Sequence, residues 1–68
     1  MIIEMLYEVG IKNKRTGERL NVEVWGESSM LATNKLLGSL IGIDKPYAWT
    51  GTNPVYIDNN IVQREVSE

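Results

Sequence analysis

Three features of the 68-residue sequence predict a small α+β domain, an antiparallel sheet of 3-5 strands packed on one helix in the order β-β-α-β-β(-β). Apolar and polar residues alternate over two early runs joined by a short polar loop. A stretch of helical periodicity follows, opened by serines and closed by glycine and proline. Two more β-prone runs then flank the turn-forming Asp58-Asn59-Asn60. The length allows one domain over residues 1–68. A chain of this size buries only about 60% of its unfolded surface, so the core is thin and self-association is the first expected source of further burial.

In the first run Met5, Tyr7, Val9 and Ile11 fall on one side and Leu6, Glu8, Gly10 and Lys12 on the other, the pattern of a half-buried strand that begins cleanly at Met5. The polar stretch Asn13 to Glu18 includes Gly17 and suits a hairpin loop. Leu20, Val22 and Val24 then face one way and Asn21, Glu23 and Trp25 the other. The break at Gly26-Glu27-Ser28-Ser29 supplies two serines, either able to cap the helix that follows by accepting a free backbone N–H.

The helix is expected from about Met30 to Ile41, with Met30, Ala32, Thr33, Leu36, Leu37, Leu40 and Ile41 on the packed face. Gly42 followed by Ile43 fits a left-handed C-cap, and Pro46 prevents resumption. Pro46 and Pro54 bracket a less regular stretch in which Tyr47 to Thr50 reads as a short strand or extended arm and Thr50 to Asn53 as flexible. Val55 to Ile57 and Ile61 to Val66 are the closing strands.

Composition narrows the function classes. The chain has neither Cys nor His. Disulfides are excluded, a structural zinc site loses its usual ligands, and the commonest general base and thiol nucleophile are missing. The acidic residues lack calcium-loop spacing and no Gly-rich phosphate loop is present. We therefore expect no catalysis, no cofactor, no metal site and no small-molecule substrate. The apolar start is interrupted by Glu4 and Glu8 and preceded by no basic residue, which fits neither a signal peptide nor a membrane span and suggests a cytoplasmic location.

What remains is surface. Trp25 lies opposite Leu20, Val22 and Val24, so it is expected on the sheet face that the helix leaves open, either as a partner anchor or covered by the C-terminal strands. Trp49 and Tyr56 are further aromatic candidates for a partner surface, and Leu31 and Gly38 stack on the polar side of the helix, where a second chain could approach closely. The expected function is thus a non-catalytic interaction module, a homodimer or a binder of a protein partner, using the open sheet face or a sheet edge. The alternative is nucleic-acid binding. Lys12, Lys14, Arg15 and Arg19 against Glu18 give the hairpin loop a local charge of +3, whereas the rest of the chain carries −5 of a net −2.

Overall fold

The computed structural model describes residues 1–40 and 46–67. The strand β1 (Ile2–Asn13) is followed by β2 (Arg19–Gly26), the helix α1 (Ser29–Leu40), β3 (Tyr47–Pro54), two short strands β4 (Tyr56–Ile57) and β5 (Asn60–Ile61), and β6 (Gln63–Val66). An antiparallel sheet of four strands packs against the helix, as the alternation and periodicity predict.

β1 is the common member of that sheet. On one side it pairs with β2 from Met5↔Gly26 to Lys12↔Arg19 without a break. On the other side its two halves are served by different strands, Tyr7 to Asn13 by β3 and Ile2 to Met5 by β6. β3 and β6 thus form one interrupted edge, from which Val55 to Val62 leave as an excursion. Three backbone bonds close its neck: Leu6 N–H donates to the Val62 carbonyl at 2.8 Å, Val55 N–H to the Leu6 carbonyl at 3.0 Å, and Val62 N–H to the Val55 carbonyl at 3.1 Å. Asp58 and Asn59 both take positive φ (51° and 66°) between the paired Ile57 and Asn60, the geometry of a two-residue type I′ turn.

The odd-numbered side of β1 is the core. Tyr7, Val9 and Ile11 are buried there, with the half-buried Val22 and Val24 beside them on β2. Ala32 and Thr33 of α1 are buried, and Leu36 and Leu37 are half-buried. The helix begins where the sequence places it, since Ser28 Oγ accepts the Leu31 N–H at 3.2 Å and the Ser28 carbonyl the Ala32 N–H at 3.0 Å. The first loop is held by Asn13, whose Oδ1 accepts the N–H groups of Arg15 and Thr16 at 2.9 and 3.3 Å. Gly17 turns the chain there at φ 78°.

Several expectations need correction. β1 starts at Ile2 rather than Met5, because β6 returns to pair with Ile2–Met5. Thr50 to Asn53 is part of β3, and its irregularity is a bulge opposite Gly10/Ile11 that leaves Thr50 without a partner. Val55 to Ile57 and Ile61 to Val66 are not two long strands, because Val55 and Val62 interrupt them at the neck. Met30, assigned to the packed face, is exposed, whereas Ala32 and Thr33 in the turns beside it are buried. Ile41, Gly42 and Ile43, expected to finish and cap the helix, lie outside the described residues. Among the described residues no helix is long and apolar enough to cross a membrane.

Two glycines give opposite expectations for stability. A Cβ on Gly26 would stand 2.8–2.9 Å from Ala32 backbone and side-chain atoms, so Gly26→Ala should destabilise by on the order of 1–3 kcal/mol. A Cβ on Gly38 meets nothing within 4 Å. Gly38→Ala should therefore stabilise by about 1 kcal/mol through helix propensity. Urea unfolding of both variants measures the two signs.

Candidate interaction surface

The free edge of the sheet follows from the ladder on β1. Both main-chain groups of Leu6 are used toward Val55 and Val62, so neither reaches Trp25, which lies opposite Leu6 on β2. In an antiparallel pair the residues alternate between bonding inward and pointing outward. The N–H and C=O of Trp25, and with them those of Glu23, Asn21 and Arg19, therefore point away from β1. Lys35 Nζ confirms the direction at one end by donating to the Trp25 carbonyl at 2.9 Å. That bond closes the C-terminal end of the edge, while Arg19, Asn21 and Glu23 remain exposed. The opposite edge is less regular, carrying the Thr50 bulge, Pro54 and the excursion at Val55–Val62.

The sheet face away from the core is polar. Glu8, Asn21, Glu23 and Asn53 are exposed on it, and the register sets Glu8 directly opposite Glu23 and Lys12 directly opposite Arg19. These four charges take part in no ion pair among the described residues. Like charges in such positions repel, which destabilises the pair.

At one end of this face Glu4 gathers three elements. Arg64 of β6 donates from Nε at 3.0 Å and Nη2 at 2.9 Å to Glu4 Oε1, and Lys35 of α1 donates to Oε2 at 3.1 Å. The Arg64 guanidinium also lies over the Trp25 ring, 4.4 Å from its centroid. The bonds from Arg64, and then those from Lys35, hold the Glu4 carboxyl below the ordinary glutamate value of 4.5. Trp25 is thus half-buried beneath a β6 side chain. Nothing in local patterning marks Arg64 as its cover, but a lone carboxylate in the apolar run Met1 to Leu6 is a readable sign that Glu4 has partners.

The other candidates do not form one patch. Trp49 is half-exposed and lines a groove between α1 and β3 with Met30, Leu37, Thr33 and Thr52, none of which the sequence singles out as a site residue. Its Nε1–H donates to Thr52 Oγ1 at 3.0 Å, Thr52 contacts Thr33 Oγ1 at 2.6 Å, and Thr33 donates to the Ser29 carbonyl at 2.7 Å. Tyr56 is exposed together with Ile57 on the excursion. Leu31 lies beside Glu27, Asn34 and Lys35, and Gly38 is exposed further along the helix. Of the basic residues, Lys14, Arg15 and Arg19 are exposed and Lys12 is half-buried. Comparison with protein families, with curated proteins and with solved structures finds no match for this chain.

Because the folded state holds Glu4 below its unfolded value, the stabilisation is complete above about pH 4.5 and is lost as pH falls through the lower, folded value. Thermal melts between pH 7 and pH 2 should show the native chain losing more stability over that acid range than Glu4→Gln. Equal slopes for the two proteins would show that the cluster adds nothing.

Proposed function

We propose that this chain is a small non-catalytic module that self-associates, copies pairing through the free edge of β2. The observation that carries this reading is the uninterrupted ladder of β2, whose outward N–H and C=O groups at Arg19, Asn21 and Glu23 have no partner among the described residues, while the other edge is bulged and broken. A regular unpaired edge is a template for another strand, and an antiparallel edge pairs with its own copy about a two-fold axis. The open face supports the edge rather than itself as the contact, because its exposed residues are mainly polar and Trp25 is covered by Arg64.

One observation favours a second reading. The loop carrying Lys14 and Arg15 has its backbone fixed by the Asn13 turn and by Lys14 N–H donating to the Pro46 carbonyl at 2.7 Å, and both side chains are exposed at its tip. Nucleic-acid binding there would weaken steeply with salt and fail when Lys14 and Arg15 are both replaced by Glu.

Light scattering across a range of concentrations tests the edge. The native chain should rise in mass from monomer to dimer at low and at high salt. Asn21→Pro should stay monomeric yet folded, because proline removes an outward N–H that β1 does not use. A native chain that is monomeric throughout would overturn the reading and leave the basic loop as the surface to test.

A further inference from the structure

Resting on the edge reading above, we infer that the partner is a second copy bound in one register, centred on Asn21 opposite Asn21 of that copy, and that Arg19 and Glu23 select it. The argument begins with a defect of the single chain. On the open face, β1 and β2 place Glu8 against Glu23 and Lys12 against Arg19, two like-charge pairs that no ion pair among the described residues relieves. A carboxylate pair and a cation pair thus stand four residues apart along one strand edge. A two-fold axis through Asn21 brings each against its opposite: Arg19 of one copy faces Glu23 of the other, and Glu23 faces Arg19.

The same axis satisfies the backbone. Arg19, Asn21 and Glu23 all point outward, so this register makes about six main-chain hydrogen bonds in three paired exchanges. On the core side it sets Leu20, which is exposed in the single chain, against Val22 of the second copy. Competing symmetric registers lose on one count or another. Centring on Glu23 or on Arg19 opposes like charges across the axis. Centring on Val22 brings Arg19 to Trp25, whose carbonyl Lys35 already occupies. Centring on Leu20 leaves Arg19 facing Asn21 and both like-charge pairs unrelieved.

Charge exchange tests the assignment. Arg19→Glu alone and Glu23→Arg alone should each weaken the dimer roughly tenfold or more, since each turns both cross-axis pairs repulsive. The doubly exchanged chain should recover, and an equimolar mixture of the two single variants should form a heterodimer tighter than either homodimer. A second readout uses the absence of cysteine. Asn21→Cys should cross-link to itself under mild oxidation, since paired Cα atoms about 5.5 Å apart lie within disulfide reach, whereas Glu23→Cys should not. If Asn21→Pro dissolves the dimer but the charge variants and the mixture behave like the native chain, the register is wrong while the edge stands. A native chain that never dimerises removes both.

Discussion

Every other strand of the four-stranded sheet bonds to β1 and to no other member of it, so the fold depends on keeping one strand paired along both sides. That constraint explains where the core lies. Tyr7, Val9 and Ile11 have neighbours on both flanks and a helix above, whereas the residues of β2 and β3 have neighbours on one flank only. It also explains the Glu4 cluster. Beyond Gly26 β1 loses β2 as a neighbour, and Glu4, in that extension, holds β6 through Arg64 and α1 through Lys35. A carboxylate so enclosed is tolerable only because both its oxygens are bonded to cations.

A sheet organised around one central strand has two edges, and the chain treats them differently. The β3–β6 side is bulged at Thr50 and interrupted by the excursion, features that discourage further pairing. The β2 side has neither device. Its charges are the usual means of keeping an edge apart, yet here they differ in sign on the two sides of Asn21, so in the proposed register a second copy would meet complementary rather than opposing charge. Self-association would also supply burial that a thin core lacks.

The alternation over Met5–Lys12 and Leu20–Trp25 made the hairpin and its buried face legible, and Ser28 with the following periodicity made the helix legible, because both signals are local. Thr50 to Asn53 was not legible as strand because its place depends on pairing with residues some forty positions earlier, which outweighs the local effect of Gly51 and two flanking prolines. The same holds for Ile2–Met5 with β6. Of the candidate surface residues, the position of Trp25 on the face away from the core follows from parity alone. Its cover does not, since Arg64 reaches it only after the chain has returned to β1. The like-charge pairs Glu8/Glu23 and Lys12/Arg19 are visible only once the register is known, although both strands are evident in the sequence.

Amide hydrogen exchange followed residue by residue as concentration rises tests the edge most directly. Leu20, Val22 and Val24, which bond inward to β1, should be protected at every concentration, and Asn21 and Glu23 should exchange freely in dilute solution and become protected as the mass doubles. Rapid exchange at Asn21 and Glu23 in a solution shown to be dimeric would contradict the account, because the copies would then be joined through some other surface.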